Sequence, residues 1–250
     1  YKFAHEYVQV TQKKIGPATI NDYSQGSDFI IQKMQPYTIP YTQKEAGFEV
    51  QTNEKILYVD ISNQVKNIII NLTKNLVVEG NDEIILGDTA VKLMSKTHQL
   101  CSGTVKFESG NSMVICNNKA EYIRDKFKGQ KIAIFYKFKE ELNAIKQVFK
   151  DTICTELEDF NSTDKSIALQ IVSGREGISL RLAEALVYYN IDFSATSYWQ
   201  SRDRMTTKDR KYNKIYWIFS EGGIEKQIYK SVIKKKDYTL RHFKRDLLTL

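Results

Sequence analysis

From residue 130 onward the apolar positions fall into a regular rhythm. Lys131-Ile-Ala-Ile-Phe-Tyr136, Ile167-Ala-Leu-Gln-Ile-Val172, Ala185-Leu-Val-Tyr-Tyr189 and Lys214–Phe219 are short and nearly continuous apolar runs. Runs of that length, rich in β-branched and aromatic residues, predict strands buried on both faces. Between them the spacing becomes helical. Leu142, Ile145, Val148 and Phe149 predict a helix over 140–149, and further helices are expected over 197–206 and 224–235. Alternation of this kind predicts a largely parallel sheet covered on both faces through right-handed crossovers. Ligands of such sheets sit outside the carboxyl ends of the strands.

The first half is less regular. Residues 1–40 are polar and aromatic, with Asn21-Asp22 and Gln25-Gly26-Ser27 as turn or cap signals before a short helix near 28–34. Glu49–Ile61 reads as a strand, and Val65, Ile68, Ile69, Leu72 and Leu76 predict a helix over 63–77. A second helix is predicted over 88–102 and a third over 119–127. Val105 and Phe107, then Met113 and Ile115, flank Glu108-Ser109-Gly110-Asn111 and predict a hairpin.

Composition narrows this little. The 250 residues carry 37 Lys+Arg against 30 Asp+Glu, a net charge of +7 that biases the chain mildly toward polyanions. From Lys226 to Arg245 eight cations face only Asp237 and Asp246, a run that reads equally as a solvated helix face or a nucleic-acid contact. Cys101, Cys116 and Cys154 are odd in number and far apart, which excludes a disulfide framework or a metal-ligand spacing and favours a reducing compartment. His5, His98 and His242 are equally scattered, against a zinc site or a His-dependent triad. The longest apolar runs are too short to span a bilayer. The chain begins at Tyr1 within what reads as an ordinary domain, and a fragment excised from a longer protein is expected.

Two segments carry the chemistry. Ser173-Gly174-Arg175-Glu176-Gly177-Ile178-Ser179-Leu180 follows a buried strand. Its glycines permit close backbone approach, exposed N–H groups there can cradle a phosphate, and Arg175 adds a cation; the plainer reading is a loop that simply turns. Further on, Gln200, Arg202, Asp203, Arg204, Lys208 and Arg210 crowd into eleven residues, with positions 200 and 204 on one helical face. Forked arginine donors suit phosphate oxygens, though alone such a helix is equally an exposed charged one. Tyr198 and Trp199 have faces on which bases can stack, with Trp199 read first as an anchor of its helix.

Taken in order, these pieces resemble the C-terminal RecA-like lobe of superfamily 2 helicases, particularly the Swi/Snf-type DNA translocases and their phage relatives. Lys131–Phe138 looks like that lobe's opening strand, Ser173–Leu182 resembles motif V, and Tyr198–Arg210 resembles motif VI, of general form Gln-x-x-x-Arg-x-x-Arg. The resemblance covers 119–240 well and extends loosely upstream, where Lys55–Ser62 resembles the exit strand of the first lobe. It implies an α/β fold, a RecA-like parallel sheet flanked by helices and preceded by a mixed helical and strand segment. The domains expected are 1–117, the tail of a first motor lobe with an inter-lobe segment, and 118–250, the C-terminal lobe.

The resemblance also implies roles. Gln200 would start motif VI, Arg204 would be its first arginine and contact the γ-phosphate, and the second arginine position falls on Thr207, a departure that Lys208 or Arg210 would have to cover. Gly174, Arg175 and Gly177 would lie at the nucleotide; Ser173, Arg175, Lys137, Lys139 and the basic terminal helix would contact nucleic-acid backbone. The cofactors implied are ATP and Mg²⁺, held mainly by a first lobe. Neither a Gly-x-x-x-x-Gly-Lys-Ser/Thr phosphate loop nor an Asp-Glu-x-His-like metal motif occurs in the chain, so on its own it is expected not to hydrolyse ATP. The partners expected are DNA and that missing lobe, with no membrane, in the cytoplasm of a bacterial or phage-infected cell. Two other readings stand beside this one: a non-catalytic, degenerate RecA-like module binding DNA or a protein, slightly favoured by Thr207, and a stand-alone nucleotide-binding enzyme, opposed by the lack of a phosphate loop.

Overall fold

The computed structural model describes residues 2–15, 18–26, 28–39, 45–80, 82–174 and 177–247. Contacts divide the chain into two units, 1–48 and 49–250. The first contains helix α1 (Lys2–Tyr7), an antiparallel hairpin of β1 (Val8–Ile15) and β2 (Ala18–Gly26), and helix α2 (Asp28–Met34). The helix expected near 28–34 is α2. Asn21-Asp22, expected as a turn or cap signal, instead lies inside β2, where pairing such as Thr11 opposite Asp22 overrides a weak turn preference, while Gln25-Gly26 ends β2 just ahead of α2 and Ser27 lies outside the described residues.

The second unit is built on a six-stranded sheet. Its elements are β3 (Gln51–Val59), α3 (Asn63–Asn75), a small hairpin β4 (Val77–Glu79) and β5 (Ile84–Leu86), α4 (Ala90–Cys101), and a second hairpin β6 (Thr104–Lys106) and β7 (Ser112–Val114). Then come α5 (Asn118–Lys126), β8 (Ile132–Tyr136), α6 (Lys139–Phe149), β9 (Ile153–Cys154), α7 (Leu157–Ser162), β10 (Ser166–Gln170) and the single turn α8 (Ile171–Gly174). The unit closes with β11 (Ala185–Tyr188), α9 (Ala195–Arg202), β12 (Tyr212–Ser220), α10 (Glu225–Val232) and α11 (Leu240–Leu247). Sheet order is β3-β12-β11-β8-β10-β9, and every neighbouring pair is parallel.

The continuous apolar runs are explained by what covers them. Successive strand side chains point to opposite faces. Ala133, Phe135, Leu186, Tyr188, Ile215, Trp217 and Phe219 belong to one core cluster with Val65 and Leu72 of α3, Leu93 and Leu100 of α4, and Ile228 of α10. Ile132, Ile134, Ala185, Val187, Tyr189 and Ile218 belong to the other, with Ile123 of α5 and Ile145 and Phe149 of α6. Helices therefore cover both faces, as in a RecA-like α/β fold.

Local signals set the helix starts. Ser62, Thr89 and Ser194 accept from the backbone N–H of Val65, Lys92 and Ser197 at 3.3, 3.3 and 3.4 Å. The edge strand β3 pairs with β12 along its whole length, from Gln51 with Tyr212 to Val59 with Ser220, so residues 49–117 fold with the sheet of the C-terminal half. The strand expected over 167–172 ends at Gln170, and the last two of its apolar residues begin the turn α8, with Ile171 buried and Val172 exposed. No helix among the described residues is long and apolar enough to cross a membrane.

Candidate functional site

The chain leaves central strand β8 toward β10 on one side and reaches β11 on the other, which creates a topological switch point at the carboxyl ends of these three strands. Two expected site positions meet there with a third segment. Lys137 follows β8, Gly174 closes the turn after β10, and Asn190 and Asp192 follow β11 ahead of α9. Turn α8 lies against α9, and the backbone N–H of Leu180 donates to Arg204 O at 2.9 Å. The glycine segment and the arginine helix are thus joined directly.

Gly174 is buried, and a Cβ there would stand 2.7 Å from the Phe135 ring and 3.0 Å from Leu169 Cβ. The glycine is required by close approach. Gly177 has φ +68° with open space around it, so its constraint is the left-handed backbone alone. Gly174→Ala is expected to cost about 1–3 kcal/mol through overpacking against a ring that cannot swing away. Gly177→Ala should cost only about 1 kcal/mol. Urea denaturation of the two variants checks the ranking, and equal costs would refute it. Ser173 is exposed, its hydroxyl on Gln170 O at 3.2 Å. Arg175, expected at both nucleotide and nucleic acid, lies outside the described residues.

The cations of the arginine segment are employed differently. Arg202 pairs with Glu54 at 3.0 Å and lies over the Trp199 ring at 4.8 Å. Arg210 donates to three carbonyls, those of Tyr212, Arg181 and Ala183, at 3.2, 3.2 and 2.7 Å. Burial pushes its pKa down. Arg204 is half-buried in the short 3-10 turn after α9, and its one side-chain hydrogen bond to a described residue runs from Nε to Gln200 O at 3.0 Å. Gln200 Oε1 is buried without a hydrogen-bond partner among the described residues. Lys208 is exposed.

Of the two lysines expected at nucleic acid, Lys139 is exposed at the start of α6. Lys137 is held internally, its ammonium on the Asp192 carboxylate. Lys106, Lys137 and Lys139 line a cleft with Gln99, Ser112 and Gln170, and one carboxylate, Glu140, lines it too, its Oε1 accepting the Ser112 hydroxyl at 2.7 Å.

Several polar residues here were not singled out from the sequence. His98 Nε2 lies 2.6 Å from Asn190 Oδ1, and Asn190 Nδ2 donates to Glu141 Oε1 at 2.5 Å. Glu141 Oε2 accepts the N–H groups of Lys137 and Phe138 at 2.7 and 3.1 Å, capping α6 from within. Asn190 Oδ1 also accepts from Ile191 N, so His98 must donate from Nε2; its bare Nδ1 has no partner among the described residues and the ring packs 4.8 and 5.3 Å from Phe193 and Phe138. Burial, aided by the charge of Lys137, holds its pKa well below the ordinary 6.5. Burial also raises the Glu141 carboxyl. Glu54 accepts from Tyr198, Trp217, Tyr229 and Arg202, tying edge strand β3 to α9.

The His98 environment has a pH signature. The unfolded chain protonates this ring near 6.5 while the fold keeps it neutral, so its stabilising contribution is complete above that value. It is lost below, by up to about 1.4 kcal/mol per pH unit. Glu141, with a raised folded value, works in the opposite sense and is lost as pH rises. Comparing wild type with His98→Gln by urea denaturation between about pH 7.5 and about pH 5 isolates the histidine. The wild-type advantage is expected to shrink toward acid; a constant advantage would contradict the buried neutral ring.

No family model and no curated protein matches the sequence. Solved structures do match in fold. The C-terminal part of the Fun30 ATPase domain superposes with a TM-score of 0.59 at 14% identity, covering 78% of this chain and 92% of that one. The SWI2/SNF2 ATPase core domain of Sulfolobus solfataricus superposes with a TM-score of 0.50 at 14% identity, covering 83% of this chain and 48% of that one. The fold is that of a RecA-like lobe. The solved lobes it is similar to belong to Swi2/Snf2 ATPases, and the chain spans about half of such a core.

Proposed function

We propose that this chain is the second motor lobe of an ATP-dependent DNA translocase or helicase, and that it acts by completing a nucleotide site whose other wall is a second RecA-like lobe. The observation that carries this reading is Arg204. Among the arginines of its segment it alone is tied, among the described residues, neither to a carboxylate nor to a set of backbone carbonyls, and it stands on the turn bonded to the glycine segment. A half-buried guanidinium of this kind suits a phosphate that arrives from outside the lobe.

The residues present fit a triphosphate edge and not a metal cage. Gln200 stands one helical turn before the arginine, where its amide Nε2 can donate to a phosphate oxygen; its Oε1, buried without a partner among the described residues, cannot. No group of three His, Cys, Asp or Glu among the described residues is placed to hold a metal ion. ATP would supply the phosphoryl group and Mg²⁺ its charge neutralisation, both held chiefly by the other lobe. Arg204 would meet developing phosphate charge, Gln200 would orient near it, and the α8 turn would keep main chain close. Lys106 and Lys139, the exposed lysines of the cleft, would contact DNA backbone without reading sequence.

Thr207 in place of a second arginine favours the other reading, a degenerate lobe that binds DNA or a partner without assisting hydrolysis. DNA titrations and turnover assays on the purified chain test both readings. Duplex affinity is expected to fall steeply with salt, and no ATP turnover is expected from the chain alone. Affinity indifferent to salt would remove the backbone contact, and DNA-stimulated turnover by the chain alone would overturn its assignment as one wall of a shared site.

A further inference from the structure

We propose that Asp192 is a positioning residue that links occupation of the lysine-lined cleft by a nucleic-acid phosphate to the helix carrying Arg204. The inference rests on the reading of the chain as a DNA-contacting motor lobe. Lys137 differs from its neighbours in the cleft. Lys106 and Lys139 are exposed, whereas the Lys137 side chain is 16% exposed, paired with an Asp192 side chain 14% exposed, and 4.3 Å from the Phe193 ring. Its main chain is held on both sides, the N–H on Glu141 Oε2 at 2.7 Å and the carbonyl by Gln170 Nε2 at 3.1 Å. Only the side chain is left to respond to a ligand.

Asp192 faces two ways. Oδ1 takes the Lys137 ammonium and the Phe193 N–H at 2.9 Å, while Oδ2 accepts the Ser197 hydroxyl at 2.8 Å in the first turn of α9. Burial opposes ionisation of this carboxyl, but Lys137 and the two other donors outweigh it, and it lies below the ordinary carboxylate range. A phosphate seated against Lys106 and Lys139 offers Lys137 a second anion. Whatever share of the ammonium the phosphate takes is withdrawn from Asp192. In so poorly hydrated a place that exchange is felt far more strongly than at an open surface. The donors Asp192 then retains, Ser197 Oγ and Phe193 N–H, are both at the start of α9, whose far end leads to Gln200 and Arg204.

Trp199 reports on that helix: its indole N–H bonds Val232 O at 3.2 Å, and Arg202 lies over its ring. The other tryptophan, Trp217, is fully buried but stacks on Tyr198 of α9 at 5.4 Å and shares Glu54 with Arg202, so the emission is read in a Trp217→Phe background that leaves Trp199 alone. The experiment titrates the 250-residue chain with a short labelled duplex at low salt, reading anisotropy for binding and tryptophan emission for α9. In the otherwise wild-type protein the two signals should move together. Asp192→Asn should bind the duplex as tightly, or a few-fold more tightly because Lys137 is released, yet show a several-fold smaller emission change. Lys137→Met should lose the same emission change, and the double variant should be no worse than either, as a shared path requires.

An emission change of wild-type size in Asp192→Asn, losses that add in the double variant, or wild-type binding with silent emission would each overturn the inference. Failure of wild type to bind duplex at all would instead remove the reading on which it rests.

Discussion

Lys119→Ala is expected to destabilise the second unit by about 3–5 kcal/mol, the largest stability loss of any single substitution considered for this chain. The lysine lies at the start of α5 and the glutamate it meets, Glu225, at the start of α10. Their side chains are 2% and 0% exposed, with Nζ 2.7 Å from Oε1. Lys119 donates as well to Tyr189 O at 3.3 Å, and Glu225 accepts from Ser220 N at 3.3 Å. Removing the cation leaves a carboxylate stranded in the core and a strand-end carbonyl without its donor. The cost is that of the orphaned groups, not the worth of the pair. The double variant Lys119→Met/Glu225→Leu should therefore lose far less than the sum of Lys119→Ala and Glu225→Ala. Urea denaturation of the four proteins measures this. Additive losses would mean that the two charges do not depend on each other.

This pair shows where the sequence stops being legible. Neither Lys119 nor Glu225 stands out in the sequence, because nothing local distinguishes a charged residue in a first turn that faces water from one that faces a strand end. The strands β8, β10, β11 and β12 were readable because each is covered on both faces, which makes its apolar run continuous. The strand β9 is two residues long and β4 and β5 three each, too short for any period to register. The hairpin β1–β2 was missed for a different reason. Its described side chains are exposed or only partly covered, so alternation left no trace in the apolar pattern. The strand expected over Glu49–Ile61 is present as Gln51–Val59, but its pairing with a strand beginning at Tyr212 cannot be seen in a local window, and the compact units separate between 48 and 49.

The site divides in the same way. Gly174 and Arg204 stand out because glycine and arginine carry their chemistry with little dependence on distant partners, and Gln200 through its spacing from Arg204. Lys137 stood out for the wrong isolation: as a lone cation after a strand it reads as free, whereas Asp192, 55 residues away in sequence, already holds it. Glu54 reached none of the expectations, yet it receives donors from residues 144 to 175 positions later. A carboxylate that organises an aromatic cluster is invisible until the sheet order is known.

On the proposed reading of the chain as one wall of a shared nucleotide site, Arg204→Ala should lower the ATP turnover of the two lobes together by about 10³-fold or more, the range in which a transition-state arginine acts. Its neighbours define the comparison. Arg210 is spent on the carbonyls of Tyr212, Arg181 and Ala183, so Arg210→Ala should lower stability before it lowers turnover per folded molecule. Arg202 is spent on Glu54 and Trp199 and should behave alike. With Thr207 offering no cation, no second arginine in this turn can cover for Arg204. Arg204→Lys keeps the charge and loses the fork, and should recover only part of the rate. Duplex affinity should be unchanged in both Arg204 variants, since the cleft lysines lie at the other end of α9 from this turn. Steady-state turnover with matched binding and melting curves separates these cases. If Arg204→Ala cost no more than a few-fold while Lys139→Ala abolished duplex binding, the lobe would be a DNA-binding module whose arginine takes no part in catalysis, in keeping with Thr207 at the second arginine position.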